Sequence, residues 1–301
     1  MKKEHDEITA ITREESYSKI WFVKSLELLK KQGISFKNVI DIGAGKGEFL
    51  EVLKRRFNDS GGLYGVDYIE SNLEILRRKN INPIRIDLDS FEVRDFEFLK
   101  GKFDLVICLE TIEHIFNLDR LFMFFNYLLG EKGHVLITTP NMASFQAKLF
   151  YLLRGYPFGE NHHVRFLNKS KLRQYAFFNG FDPVGWRNYF TFQPDVIRRG
   201  FGLRKSFWVY LIGLLFFGPL LLFRKLNIFD SWVSSGLVVL YEKGEFVPLG
   251  LEVHNFRKNF ESLPTESKNL WVNRMRRYYQ KDKLGEHIYL RSYVEGIIRE
   301  R

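Results

Sequence analysis

The sequence predicts an α/β fold, a doubly wound sheet with helices on both faces, on three observations. Short apolar runs alternate with helical-period segments between about residues 38 and 140. One of these runs, Phe103–Leu109, is apolar almost throughout, as a strand covered on both faces must be. The stretch Val39-Ile40-Asp41-Ile42-Gly43-Ala44-Gly45-Lys46-Gly47-Glu48-Phe49 joins a strand to a helix through glycines at alternate positions. Without Cβ atoms there, the backbone turns through positive φ and lets a ligand approach. The helix that follows offers free N–H groups and a partial positive charge.

Taken in order, residues 16–32 carry Ile20, Val23, Leu26, Leu28 and Leu29 at roughly helical spacing, and Gly33 suits a C-cap. Strand 38–42, the glycine turn and helix 47–57 follow. Gly61-Gly62 turns the chain into strand 63–67, which ends at Asp67; a helix is expected over 71–79. Asn82-Pro83 precedes strand 84–86, which delivers Asp87, with Asp89 behind it and expected in solvent. After strand 103–109 come helix 119–129, a turn over 130–133 and strand 134–138. Helices are expected over 144–153 and 169–179, the second between Asn168 and Gly180. A sixth strand falls within 181–192 and a last one at 235–243. Residues 245–264 look loop-like, and 266–281 form a basic amphipathic helix with Leu270, Trp271, Met275, Tyr278 and Tyr279 on one side. The resulting division is an N-terminal helical cap (1–35), a main domain (36–244, with an insertion over about 193–234) and a basic C-terminal extension (245–301).

The chain's 301 residues suffice for one sizeable core plus additions. Its hydrophobic content of 45% and charged content of 27% exclude a disordered or fibrous chain. A single cysteine, Cys108, in an apolar run excludes a disulfide scaffold and points to a reducing compartment. Met1–Glu15 is charged without the apolar core of a secretory leader, so a cytoplasmic location is expected. The net charge of +10 is uneven: residues 1–150 hold 22 Lys and Arg against 23 Asp and Glu, and residues 151–301 hold 24 against 13. The second half therefore suits either an anionic partner or a solvated basic face.

The acids fall at strand ends, where an open α/β sheet has its ligand crevice. Asp41 lies beside the glycine turn, and Asp67 ends the second strand, 26 residues later, where a carboxylate suits two ribose hydroxyls or caps the next helix. The spacing D-x-G-x-G-x-G departs from the dinucleotide pattern G-x-G-x-x-G, because Glu48 stands where its third glycine belongs.

Three segments together carry a resemblance: the glycine turn, Leu109-Glu110-Thr111-Ile112-Glu113-His114-Ile115, and His163-Val164-Arg165-Phe166 ahead of a helix. Residues 36–190 and 235–243 resemble the class I S-adenosylmethionine-dependent methyltransferases, in the branch with the ubiquinone-biosynthesis O-methyltransferases and bacterial methyltransferases of surface sugars and small molecules. The resemblance implies a seven-stranded sheet in the order 3-2-1-4-5-7-6 with the last strand antiparallel, and S-adenosylmethionine as cofactor. It implies that Gly43, Gly45 and Gly47 pass the methionine portion, with Asp41 and Leu109 also at the cofactor, that Asp67 holds the ribose and that Asp87 accepts from the adenine amine. His114, after the fourth strand, is the first candidate base for a hydroxyl acceptor, and His163 the second; each has the alternative of a histidine that orders its own loop. Glu110 and Glu113 with His114 form an alternative divalent-metal set, although no metal is assigned. The [DN]-P-P-[YF] segment of many amino-methyltransferases is replaced by Leu109-Glu110-Thr111-Ile112, which favours oxygen as acceptor atom.

The expected function is thus O-methylation of a small molecule, glycan or lipid-linked intermediate. An NAD(P)-binding oxidoreductase and a non-catalytic, membrane-associated cofactor-binding protein are the alternatives; a nucleic-acid partner is disfavoured, since no RNA-binding module is recognised. The uncharged run Phe207–Phe223, flanked by Arg198, Arg199, Arg204, Lys205, Arg224 and Lys225, is expected to lie on an anionic membrane surface or to form a buried lid or dimer contact. A full span is disfavoured, because the strands on either side of it belong to one sheet.

Overall fold

The computed structural model describes residues 19–57, 61–156, 163–190, 234–250 and 253–282, together with isolated positions 211, 215 and 296. Seven strands, β1 (Val39–Ile42), β2 (Leu63–Asp67), β3 (Asn82–Arg85), β4 (Phe103–Leu109), β5 (Leu129–Pro140), β6 (Phe181–Tyr189) and β7 (Gly236–Lys243), form one sheet. Their order is β3-β2-β1-β4-β5-β7-β6. β1 to β5 pair in parallel, and β7 runs antiparallel to both β5 and β6. This is the expected topology.

Alternation along the central strands builds two cores. Ile40, Ile42, Val106, Cys108, Val135 and Ile137 pack on one face of the sheet. Val39, Leu105, Ile107 and Leu136 pack on the other. Both sets are buried because helices cover both faces. On the second face lie α1 (Ile20–Lys31), α2 (Glu48–Phe57) and α3 (Glu70–Arg78), through Leu28, Leu29, Leu50, Leu53, Leu73 and Leu76. On the first lie α4 (Leu118–Leu128) and α6 (Lys169–Phe178); α5 (Phe145–Arg154) follows β5. Asn117, Ser144 and Asn168 each accept a backbone N–H at the start of α4, α5 and α6. Gly33 and Gly180 end α1 and α6 at φ +63° and +87°.

Three sequence expectations change. The turn over 130–133 is drawn into β5, since Leu129 pairs with Phe103 and its carbonyl accepts from the Lys243 ammonium. Residues 245–264 contain a helix, α7 (Val253–Ser262), whose Phe256 and Phe260, four apart, are buried and stacked. In α8 (Thr265–Asp282), Leu270 is exposed, whereas Trp271, Val272, Met275 and the basic Arg274 are buried. Arg274 Nη1 donates to both Asp182 carboxylate oxygens at 2.8 and 2.9 Å, Nη2 donates to the Phe181 carbonyl at 2.9 Å, and the guanidinium lies over the rings of Phe177 and Phe246. This residue fastens the C-terminal helices to the sheet edge at β6, so the basic extension is in part a structural clamp.

No helix among the described residues is long and apolar enough to cross a membrane. Phe207–Phe223 lies outside the described residues except for Leu211 and Leu215, as do His162, residues 1–18 and the chain beyond 282 except Gly296.

Candidate active site

A cleft of about 390 Å³ opens at the C-terminal ends of β1 and β4. Asp41, Gly43, Ala44 and Gly45 line it from the glycine turn, and Leu109 and Glu110 from the end of β4. The three turn glycines have φ of +79°, +54° and +72°, which L side chains disfavour, but they serve different ends. A Cβ on Gly43 would strike the Thr111 side chain, and one on Gly47 would strike Leu76 and Ile81. These two glycines let neighbouring elements close against the turn. A Cβ on Gly45 meets nothing within 4 Å, so this glycine keeps space free for a ligand.

Asp41 sits in β1 between Ile40 and Ile42, on the sheet face of the second core, and is 4% exposed. Its Oδ1 is buried without a hydrogen-bond partner among the described residues. Burial, and then the charge of Asp67, push its carboxyl up to about 7. A carboxylate so placed is complementary to a cation entering the cleft. This orphaned acceptor, with the space before Gly45, fits the zwitterionic methionyl end of S-adenosylmethionine, whose ammonium would answer it.

Asp67 is not on the cleft wall. Its Oδ2 accepts the Gly45 N–H at 2.9 Å and its Oδ1 the Ile69 N–H at 2.8 Å, so it shapes the glycine turn. Each oxygen retains a second lone pair for a ribose hydroxyl. Asp87 follows β3, exposed, with Oδ1 accepting the Asp89 N–H. Asp89 is exposed, as expected, and also accepts the Phe116 N–H at 2.8 Å, tying the loop after β3 to the loop after β4.

Glu110 has φ +48°, a left-handed backbone uncommon outside glycine, held by N–H bonds to the Thr138 carbonyl and hydroxyl. Its Oε1 accepts the Tyr189 hydroxyl at 2.9 Å. Burial raises its carboxyl, and the Thr138 and Tyr189 hydroxyls oppose that rise. One turn further along, Glu113 is buried, accepts from the Thr139 hydroxyl at 3.1 Å and is pushed up to about 8 by burial and the Glu110 charge. The Glu113 carbonyl accepts the N–H groups of Val164 and Arg165 at 3.0 and 2.9 Å. The Arg165 side chain donates to the carbonyls of Ile115 and Phe116. These bonds bring the second motif onto the first, with the His114 and His163 rings 5.1 Å apart. His114 Nε2 lies 4.0 Å from Glu113 Oε1. The ligand atoms of Glu113, His114 and His163 all lie within 4.8 Å of one another. His163 thus takes the place given to Glu110 in the expected metal set. The imidazole pair is not on the cleft wall but beside it, in the continuation of the segment that supplies Leu109 and Glu110.

The sequence reading missed the wall supplied by the N-terminal segment, namely Lys19, Trp21 and Phe22. The signal was present: Trp21 and Phe22 depart from the apolar spacing of Ile20, Val23 and Leu26, and both are half-buried at the cleft. Lys19 pairs with Glu48 at the start of α2 across the same cleft.

Residues 15–184 match the methyltransferase-domain family. The ubiquinone biosynthesis O-methyltransferase of Glaesserella parasuis is 27% identical over 194 residues, which cover 60% of this chain and 76% of that protein. The Pseudomonas aeruginosa protein of the same name is 27% identical over 151 residues, 48% of this chain and 63% of that protein, so the match spans less than two thirds of its length. Among solved structures, a chain of the complex between the Haloferax volcanii Trm112 methyltransferase activator and the putative methyltransferase aligns with a TM-score of 0.51 at 10% identity, covering 80% of this chain and 95% of that one. The [4+2]-cyclase SpnF aligns at 0.50 and 12% identity, covering 76% and 83%. Both likenesses show the fold alone, and the cyclase shows that the fold does not dictate the reaction.

Proposed function

Because the chain belongs to the methyltransferase-domain family and is an S-adenosylmethionine-dependent methyltransferase, we propose that it methylates a hydroxyl oxygen of a small-molecule, glycan or lipid-linked acceptor, with His114 as the base. The carrying observation is the Glu113–His114–His163 cluster beside the cleft. S-adenosylmethionine, when bound, supplies the methyl group on a sulfonium and departs as a neutral thioether. Asp41, the glycine turn and Leu109 bind and orient it, with Asp67 and Asp87 at its ribose and adenine. His114, 44% exposed at its side chain, takes the acceptor proton at Nε2. Glu113 Oε1 lies 4.0 Å behind it, and His163 shares the opposing lip. Alignment of the acceptor supplies the larger part of the acceleration, where effective molarity is worth roughly 7–11 kcal/mol.

A second reading is favoured by the same donor set. Two imidazoles and a carboxylate within 4.8 Å suit a divalent cation, which would acidify the acceptor hydroxyl in place of a free base. Dialysis against chelator followed by Mg²⁺, Mn²⁺ or Zn²⁺ separates the two: unaffected turnover leaves His114 as the base, and metal-restored turnover moves it into the ligand set.

The acceptor class is tested by transfer of a labelled methyl group into fractionated cell extract, followed by identification of the methylated atom. Methyl on oxygen supports the proposal; methyl on nitrogen or carbon refutes it. An apolar acceptor would accord with contact between Phe207–Phe223 and an anionic membrane surface, which we propose as the site of action on the cytoplasmic face.

A further inference from the structure

We infer that Glu110, held in place by Tyr189, is the counter-charge for the cofactor's sulfonium, so that the cleft distinguishes the charged methyl donor from the neutral thioether product. The inference rests on the reading of the cleft as the cofactor site. It follows from the sheet order. In the order β3-β2-β1-β4, Asp87 follows β3, Asp67 ends β2, Asp41 lies in β1 and Glu110 follows β4. With the adenosine over β3 and β2, both cationic groups of the ligand fall over β1 and β4. Asp41 presents one carboxylate there and Glu110 the other, and both line the cleft.

The placement of Glu110 is built rather than incidental. Its strained backbone is held by two bonds to Thr138, and its carboxylate by the Tyr189 hydroxyl. Tyr189, 3% exposed, ends β6, where its ring lies so close over Gly236 that a Cβ there would stand 1.9 Å from Cζ. Trp21, another cleft residue, has its ring centroid 6.1 Å from that of Tyr189. The phenol therefore has one orientation. Its hydrogen bond favours the ionised carboxylate, against the cost of burial. A left-handed non-glycine residue on a ligand cleft is where backbone strain has a functional return.

The test is calorimetric binding of S-adenosylmethionine, S-adenosylhomocysteine and sinefungin, which carries an amine in place of the sulfonium, to the full chain and to E110Q and Y189F. E110Q is expected to weaken the two charged ligands roughly 10- to 100-fold, the span of a lost charge-assisted contact, and the thioether about threefold or less. Y189F, a change in a positioning residue, is expected to shift the same ratio in the same direction by a smaller factor. Retained S-adenosylhomocysteine binding shows that the variants fold, and a merely structural role for Tyr189 would move all three affinities together. Equal weakening of all three ligands by E110Q would assign Glu110 to the ammonium or to the fold and overturn the inference. No change in any of them would place Glu110 away from the cofactor and overturn it too. Failure of the unmodified chain to bind any of the three would instead remove the cofactor reading on which the inference stands.

Discussion

Replacing Asp41 by Asn should make the ligand-free protein more stable above neutral pH while impairing it as an enzyme. The carboxyl is buried, and its ionisation is displaced from 3.8 to about 7. Between these values the unfolded chain is ionised at this residue and the folded chain is not, so folding stability falls as pH rises through that window and the loss is complete above about 7. Three pKa units correspond to about 4 kcal/mol. Asn cannot ionise, and it keeps nearly the same shape. The variant should therefore gain up to about 4 kcal/mol at pH 8, a rise in Tm of up to about 6 °C for a chain of this size, and nothing at pH 4. The same change leaves the ligand's ammonium without its anion, so S-adenosylmethionine and S-adenosylhomocysteine should both bind roughly 10- to 100-fold more weakly. Thermal melts of the free protein from pH 4 to 8 and calorimetric titration at pH 8 give the two readings. Equal melting of D41N and the unmodified protein at pH 8 would show that Asp41 is not held at a cost. Unchanged affinity for S-adenosylhomocysteine would show that its orphaned oxygen does not face the ligand.

Gly45→Val should abolish cofactor binding with a loss of only about 1–2 kcal/mol in stability, because its side chain enters free space at a backbone strain of that order; Gly47→Ala, driven into Leu76 and Ile81, should instead lower the unfolding temperature at retained affinity, and calorimetry beside thermal melts would expose the reverse pattern. His114→Ala should lower kcat at least about 100-fold with cofactor affinity within about threefold, as measured by single turnover and calorimetry; unchanged turnover would make it an ordering residue of its loop. Arg274→Ala should cost about 2–4 kcal/mol and raise amide exchange through Thr265–Asp282, since it strips Asp182 and the Phe181 carbonyl of their donor; uniform protection would mean that other contacts hold the helix. The chain should float with anionic liposomes at low salt, and a variant with Leu214, Leu215, Phe216 and Phe217 changed to Ser should not; an intact chain that stays at the bottom of the gradient would favour a lid or dimer role for that segment.

The sheet was legible because burial on both faces imposes one composition on every central strand. Val39, Ile40, Val106 and Ile107 could not be read as anything but core, and the turn glycines and end acids followed them at fixed offsets. What was misread depends on partners far away in sequence. Arg274 belongs to a buried clamp only because β6 brings Asp182 to it, 92 residues earlier. Phe256 and Phe260 carry a helical spacing, yet the two flanking prolines, Pro248 and Pro264, spoke for a loop, and only packing on Phe178 decides the matter.

The site divides in the same way, and the division carries the chemistry. Asp41 and the glycines belong to one strand and its turn, so short-range pattern reveals them. Glu110 entered the alternative metal set because E-x-x-E-H places it near Glu113 in sequence. The left-handed backbone at Glu110 separates the two, sending one carboxylate to Tyr189 and leaving the other behind His114. That single conformational choice splits one motif between two tasks. Its first acid lines the cleft, and its second acid and histidine meet His163 beside it. The left-handed turn at Glu110 thus lets five consecutive residues, Glu110 to His114, present one carboxylate to the cleft and another to the histidine pair, a split that the proposed O-methylation would use.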